Sequence, residues 1–169
     1  YLETGMMDSL LDFDFKNIAH SFVNGNLNAA NDALMTRNEK IDNTATLGQF
    51  LGSHDENGFL FNAGNDKGKL KVAASLQATA KGQPVIYYGE ELGQSGENNY
   101  PQYDNRYDFA WDKVEGNDVL GHYKKILNFR GDHSEVFAKG ERTAIGGTDA
   151  DKFMVFEIGR ASCRERVST

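Results

Sequence analysis

The sequence predicts an α/β fold in which short strands and longer helices alternate. In three successive stretches, a short apolar or β-branched run is followed by a segment whose apolar residues repeat at every third or fourth position. One of these runs, Pro84–Tyr88, is apolar and β-branched, as expected for a strand that a parallel sheet buries on both faces. This alternation favours parallel strands joined by right-handed helical crossovers.

The first predicted unit is a strand over Met7–Asp12 followed by a helix. The helix has an apolar face that continues up to Gly25, a residue type that often ends helices. A weaker helical pattern covers Leu27 to about Arg37. The residues of the apolar face are Phe15, Ile18, Ala19, Phe22 and Val23.

The second and third units are followed by one long loop and one clear helix. A closed eight-stranded barrel of such units needs about 250 residues, so this chain can hold only part of one. The predicted elements, in chain order, are a strand at Thr46–Gly52, a Gly- and Asn-rich loop at Glu56–Gly64, a helix at Lys67–Ala80, a strand at Pro84–Tyr88, a polar and aromatic loop from Gly89 to about Gly116, and a helix at Asp118–Arg130.

The pattern changes after Gly140. Two short β-prone pieces, Arg142–Ile145 and Lys152–Phe156, flank a Gly-rich stretch and predict a hairpin. We therefore divide the chain into a partial barrel domain at residues 1–139 and the start of an antiparallel β-domain at residues 140–157.

The last segment, residues 158–169, is expected to be a non-native tail. It has no apolar period, and it contains three Arg and the only Cys of the chain. It resembles the conceptual translation of a sequencing-library adapter read through at the end of a short DNA fragment. A genuine polar terminus is the alternative.

The composition disfavours several classes of function. The net charge is −7 and the basic residues are scattered, so we expect no nucleic-acid partner. The longest apolar runs fall far below the roughly 18 to 20 residues needed to cross a bilayer, so we expect no membrane span. The single Cys163 cannot form an internal disulfide, and the compartment, extracellular or cytoplasmic, stays open.

Polar side chains follow each predicted strand, at the edge where parallel βα architectures place their working residues. Carboxylates that converge from successive strand ends suggest acid/base or glycosyl chemistry, because such reactions stabilise positive charge at the reacting carbon. The side chains concerned are Asp12 and Asp14, the pair His54-Asp55, and the pair Glu90-Glu91.

Three segments carry a family resemblance: Phe50–Asp55, which ends in a His-Asp pair, Gly82–Glu91, and Met7–Phe15. They resemble the seventh-strand, eighth-strand and sixth-strand motifs of the alpha-amylase family of glycoside hydrolases. The helix at Asp118–Arg130, followed by Gly140, is similar to the last barrel helix and its junction with that family's C-terminal β-domain. The resemblance implies that the chain contains strands six to eight of a (β/α)8 barrel.

The resemblance also implies a retaining mechanism with three carboxylates. These are an Asp nucleophile on strand four, a Glu acid/base on strand five, and an Asp on strand seven that binds sugar hydroxyls in the transition state. Only the third has a counterpart, Asp55, so the fragment alone is expected to be inactive. His54 would donate hydrogen bonds to hydroxyls of the same sugar. By residue type alone, the competing interpretation is a rim histidine and a loop cap.

Asp104 and Arg106 lie where several relatives use an Asp and an Arg to hold a sugar one subsite further in. The resemblance therefore implies substrate binding by this pair, and a guanidinium suits vicinal hydroxyls. An Arg that fixes the long loop to the barrel is the equal alternative. We expect Glu90 and Glu91 to support the rim without being catalytic.

The expected partner is an alpha-glucan polysaccharide or oligosaccharide of the starch or pullulan type. No cofactor is evident, and although the resemblance allows calcium, no calcium ligand is identifiable in this segment. The preference for alpha-1,4 or alpha-1,6 bonds, and for hydrolysis or transglycosylation, stays open. The alternative function is a non-catalytic barrel relative that acts as an interaction or glucan-binding protein, against which the presence of His54 and Asp55 argues.

Overall fold

A computed structural model describes residues 7–41 and 46–159. Strands and helices alternate through most of this part, as the periodicity predicts, and a hairpin follows. The elements are β1 (Ser9–Asp12), α1 (Phe15–Val23), α2 (Leu27–Asn38), β2 (Thr46–Gln49), α3 (Phe59–Asn62), α4 (Lys67–Thr79), β3 (Gln83–Pro84), α5 (Asp118–Asp132), α6 (Ser134–Lys139), β4 (Glu141–Gly146) and β5 (Val155–Gly159), with short 3-10 helices at Glu90–Leu92 and Trp111–Lys113.

The first three strands form a parallel sheet in the order β1-β2-β3. β1 pairs with β2 along its whole length, from Ser9 opposite Thr46 to Asp12 opposite Gln49. β2 pairs with β3 at its end, where Gln49 lies opposite Pro84. The carboxyl ends of β1 and β2 therefore lie at one edge of the sheet, as a βα architecture requires.

The predicted third strand is too long. Only Gln83 and Pro84 are paired with β2, whose last residue is Gln49. Val85 still donates a 2.8 Å backbone hydrogen bond to the Gln49 carbonyl, but β2 offers no further ladder beyond that point. Val85 and Tyr88 are 38% and 42% exposed, so this apolar run is not covered on both faces in the described part of the chain.

The core lies between the sheet and its helices. α1 packs against α2 and α4, and α4 packs against α5. Phe15, Leu70, Ala73, Val119 and Tyr123 are nearly or completely buried there. The apolar face that the spacing predicts for α1 packs into this core. The helical spacing in the predicted helix Lys67–Ala80 puts Val72, Ala73, Leu76 and Ala80 on one face, and all of these except Val72 are buried.

Two buried glutamines join the sheet to α4. The side-chain nitrogen of Gln49 donates to the carbonyls of Gln77 and Ala80, at 3.1 and 3.3 Å. The side-chain nitrogen of Gln77 donates in turn to the carbonyls of Gln49 and Val85, each at 3.0 Å. These bonds satisfy backbone carbonyls at the end of α4, at the end of β2 and just after β3, and buried polar groups need such partners.

Two helices were not predicted. α3 lies inside the stretch expected to be a loop, where Phe59 and Leu60 are buried against the core. α6 follows α5 directly and buries Phe137. No helix in residues 7–41 and 46–159 is long and apolar enough to cross a bilayer.

The predicted hairpin is present, with β4 and β5 antiparallel and a bulge between Ala144 and Gly146. β5 begins at Val155 rather than at Lys152. It continues through Ile158 and Gly159, which pair with Arg142 and Glu141 although they belong to the segment expected to be a tail. Residues 160–169 lie outside the described residues, and the domain boundaries stay predictions.

Candidate active site

His54 and Asp55 lie just beyond β2, where the chain leaves the sheet. Phe50 and Leu51 are buried directly after the strand, whereas the next polar side chains turn outward. The side chains of His54 and Asp55 are 64% and 70% exposed. The two residues singled out by the sequence are therefore accessible at the carboxyl edge of the parallel sheet.

Asp55 lies next to two nitrogen-bearing side chains. Its Oδ1 is 3.2 Å from Nε2 of His54 and 3.6 Å from Nη2 of Arg106. The longer distance is that of an ion pair rather than a hydrogen bond. The structure thus brings together three of the four predicted site residues around one carboxylate oxygen.

Arg106 contacts both the site and the loop that carries it. Its Nε donates a 3.1 Å hydrogen bond to the His54 carbonyl, and its guanidinium carbon lies 4.4 Å from the centre of the Tyr103 ring. Because Nη2 also faces Asp55, the loop-fixing contact and the site contact are present in the same side chain. The two predicted roles of Arg106 are geometrically compatible.

Asp104 is placed differently. Oδ2 of Asp104 accepts a 2.8 Å hydrogen bond from the side-chain amide of Asn99. The backbone N–H of Asp104 donates to Oδ1 of Asn99. Within the described part of the chain, no hydrogen bond or ion pair joins Asp104 to His54, Asp55 or Arg106. The structure therefore does not bring the fourth predicted site residue into the cluster.

The carboxylate at the end of β1, that of Asp12, has a structural role. Asp12 is buried and forms an ion pair with Nε of Arg37 in α2. Its other oxygen accepts 3.2 Å hydrogen bonds from the backbone nitrogens of Asp14 and Phe15, where α1 begins. Asp12 is therefore not available to a substrate in this arrangement.

Glu90 is also buried, at 4% exposure, and accepts a 2.8 Å hydrogen bond from the Tyr123 hydroxyl. Burial raises the pKa of Glu90 to about 8; the Tyr123 hydrogen bond opposes this rise and the neighbouring Glu91 carboxylate adds to it. Glu90 is accordingly a neutral carboxylic acid below that pH, held inside the core rather than at the open edge.

Sequence reasoning missed the residues that surround the His54-Asp55 segment. Lys16 of α1 forms an ion pair with Glu56, and two asparagines of the long loop, Asn98 and Asn105, donate hydrogen bonds to the segment's backbone. Loop asparagines carry no periodic signal, and only the position of Asn105 beside Arg106 could have drawn attention to it.

The cluster is suited to binding hydroxyl groups. An exposed carboxylate accepts hydrogen bonds from two adjacent hydroxyls, while an imidazole and a guanidinium can donate to hydroxyl oxygens. Within residues 7–41 and 46–159, no three His, Cys, Asp or Glu side chains are placed to share a metal ion.

Comparison with known proteins connects this geometry to a family. Residues 1–134 match the family described as alpha amylase, catalytic domain. Neopullulanase 2 of Thermoactinomyces vulgaris is 29% identical over 136 residues, which cover 77% of this chain and 23% of that protein. Amylopullulanase of Thermoanaerobacter thermohydrosulfuricus is 40% identical over 86 residues, which cover 46% of this chain and 6% of that protein.

Solved structures agree on the fold. The crystal structure of an alpha-amylase from H. orenii superposes with a TM-score of 0.75 at 24% identity, covering 89% of this chain and 36% of that one. The chain spans less than a quarter of the length of the two curated relatives named above.

Proposed function

The chain belongs to the alpha-amylase family, and on that premise we propose that it is part of a retaining glycoside hydrolase. The substrates are alpha-glucans of the starch or pullulan type, in which the enzyme cleaves alpha-glucosidic bonds. The names of the relatives, neopullulanase and amylopullulanase, support this substrate class. The observation that carries the proposal is the exposed Asp55 carboxylate with His54 and Arg106 beside it at the carboxyl edge of a parallel sheet.

In this proposal Asp55 stabilises the transition state. Its carboxylate accepts hydrogen bonds from two adjacent hydroxyls of the sugar whose bond is cleaved. As the ring flattens towards an oxocarbenium ion, those hydroxyls become better donors, and the bonds strengthen more than in the bound substrate. The high exposure of Asp55 supports this role, because a structural cap would direct its oxygens to backbone N–H groups.

His54 and Arg106 orient the sugar and the carboxylate. His54 donates to a hydroxyl of the same sugar, and its 3.2 Å approach to Asp55 supports a shared ligand for the two side chains. Arg106 keeps a positive charge next to Asp55, with its Nη2 3.6 Å from Oδ1 of that carboxylate. Asp104 is proposed to bind a sugar one subsite further in, away from this cluster.

The nucleophile and the general acid/base lie outside this segment in the proposal. The parent enzyme supplies them from barrel strands four and five, and the described sheet supplies strands six to eight. The short coverage of the relatives supports this assignment of the chain to one part of a longer protein. Residues 1–139 are accordingly proposed to belong to the barrel and residues 140–157 to the start of the β-domain.

The proposal is tested on the full-length protein that carries this segment, obtained by extending the coding DNA on both sides. Purified protein is incubated with maltodextrin and with pullulan, and reducing ends and anomeric configuration are followed. We expect new reducing ends with retention of the alpha configuration. Binding of maltodextrin without any release of reducing ends would favour the non-catalytic alternative.

A further inference from the structure

One turn of the chain, residues 53–56, carries the candidate catalytic side chain and is held by the loop that follows β3. The side-chain nitrogen of Asn105 lies 2.8, 2.9 and 3.4 Å from the carbonyl oxygens of Glu56, His54 and Ser53. Asn105 is 1% exposed. One buried amide thus lies at the centre of three carbonyls of the turn.

The remaining carbonyl of the turn has its own donor. Asn98, in the same loop, donates a 2.7 Å hydrogen bond from its side-chain amide to the Asp55 carbonyl. The backbone N–H of Asn98 is itself held, because it donates to the side-chain oxygen of Asn57 at 2.8 Å. Every backbone carbonyl of the turn is therefore within hydrogen-bonding distance of an asparagine of the loop.

The three carbonyls identify which end of the Asn105 side-chain amide faces the turn. An amide oxygen among carbonyl oxygens would be repelled, so the end of Asn105 that faces three carbonyls is its NH2 group. Its Oδ1 is buried and has no hydrogen-bond partner in the part of the chain that the structure describes. Asn105 therefore acts on the turn as a hydrogen-bond donor.

Side chains of the loop hold the turn, the two asparagines together with Nε of Arg106 on the His54 carbonyl, because neither neighbouring element does. β2 ends at Gln49 and α3 begins at Phe59, so residues 53–56 lie outside the regular hydrogen bonds of both. The side chains of His54 and Asp55 are mostly exposed and are not fixed by packing. Apart from their contact with each other and the approach of Arg106 to Asp55, their direction is set by the backbone of the turn.

We propose that Asn98 and Asn105 are positioning residues, whose side-chain amides fix the backbone of residues 53–56 and so direct Asp55 and His54 towards the sugar. This inference rests on the proposed function for its effect on catalysis. The expected effect on the backbone of residues 53–56 does not depend on the proposed function. Hydrogen-bond geometry within a fraction of an ångström matters more to transition-state stabilisation than to substrate binding.

The main test is Asn105→Asp in the full-length protein, measured by steady-state hydrolysis of maltodextrin. An ionised carboxylate has the shape of the amide but cannot donate to carbonyls, whereas a protonated one donates a single O–H. We expect kcat at pH 7 to fall more than tenfold with KM changed less than threefold.

The matched control is Asn117→Asp. Asn117 also donates from a side-chain amide to two carbonyls, those of Leu92 and Lys113, each at 3.1 Å, but it lies at the start of α5 away from the turn. We expect its kcat at pH 7 to stay within twofold of the unsubstituted value. A fall in kcat of less than tenfold for Asn105→Asp, or a fall accompanied by a change in KM of threefold or more, would overturn the proposal.

Two further measurements keep the proposal testable if Asn105→Asp does not fold or if the unsubstituted protein is inactive. The first is Asn98→Ala, for which we expect kcat to fall at least fivefold, and an unchanged kcat contradicts the proposal. The second is the rate of cleavage by a Glu-specific protease at Glu56, mapped by mass spectrometry. We expect faster cleavage in Asn98→Ala than in Asn117→Asp, whatever the activity, and equal rates contradict the proposal. An inactive unsubstituted protein counts against the proposed function alone.

Discussion

The hydroxyl of Tyr123 donates a 2.8 Å hydrogen bond to Oε1 of Glu90, and this joins α5 to the 3-10 helix at Glu90–Leu92 inside the core. Burial raises the pKa of this Glu to about 8 from its ordinary value of 4.5. The folded chain therefore keeps a proton that the unfolded chain has already released over the range between those two values. The unfolding free energy falls as the pH rises through that range.

Glu90→Gln is expected to remove this pH dependence. Glutamine resembles the neutral acid and can still accept from Tyr123, so it never pays the cost of ionisation inside the core. A shift of one pKa unit corresponds to about 1.4 kcal/mol. At pH 8.5 the unfolding free energy of the variant should therefore exceed that of the unsubstituted protein by on the order of a few kcal/mol. Thermal unfolding of the full-length protein from pH 4.5 to 8.5 measures it, and parallel stability profiles for both proteins would count against the prediction.

Arg37→Met is expected to destabilise the fold strongly. Arg37 is buried, pairs with Asp12, and donates to the Gln49 side chain at 3.2 Å and to the Lys81 carbonyl at 2.7 Å. Removing it leaves the Asp12 charge buried without its cation, which typically costs about 3 to 5 kcal/mol.

Denaturant unfolding measures this loss, and the matched control is Lys71→Met. Lys71 pairs with Asp118 at the surface, where an ion pair contributes little. We expect the control to unfold at nearly the original denaturant concentration. Equal losses in the two variants would show that burial of the Arg37 pair is not what matters.

Arg106→Lys tests the dual role of that guanidinium. Lysine keeps the charge near Asp55 but loses the Nε donor to the His54 carbonyl and the planar contact with Tyr103. We expect KM for maltodextrin to rise severalfold in the full-length protein. Tyr103→Phe keeps the ring and serves as the control, with KM unchanged; an unaltered KM in Arg106→Lys would leave charge as its only contribution.

The 169-residue chain alone is expected to hydrolyse no glucan. In the proposal the chain contributes Asp55, which binds the transition state, but neither the nucleophile nor the acid/base. Without these two groups only binding contributions to the rate remain. Reducing-sugar release from starch or pullulan is the measurement. Release by the purified chain above the level of a boiled sample would contradict the assignment of the missing groups to other strands.

Much of the fold could be predicted from spacing. The buried faces of α1 and α4 could be predicted because a helical period is visible in the residues of each helix alone. β3 could not be predicted in its true length, since pairing depends on where its neighbour β2 ends. An apolar run alone carries no information about that neighbour.

The candidate site divides in the same way. His54 and Asp55 could be proposed because they end a short contiguous segment, Phe50–Asp55, that resembles a family motif. The resemblance implied that Arg106 binds substrate but did not predict its approach to Asp55, because a long loop without a period brings the two residues together. The amide of Asn105 reaches carbonyls about fifty positions earlier in the chain, and no local pattern marks such a contact.

The central claim, that Asp55 stabilises the transition state, is tested most directly by Asp55→Asn in the full-length protein, with Asp118→Asn as the matched control. Both residues are exposed aspartates paired with a cation, Arg106 in one case and Lys71 in the other. The substitution keeps the size and removes the charge, so we expect kcat of Asp55→Asn to fall by orders of magnitude with little change in KM, while Asp118→Asn keeps its kcat. An Asp55→Asn protein that remains folded and retains kcat within a few-fold of the unsubstituted enzyme would contradict the assignment of this role to Asp55.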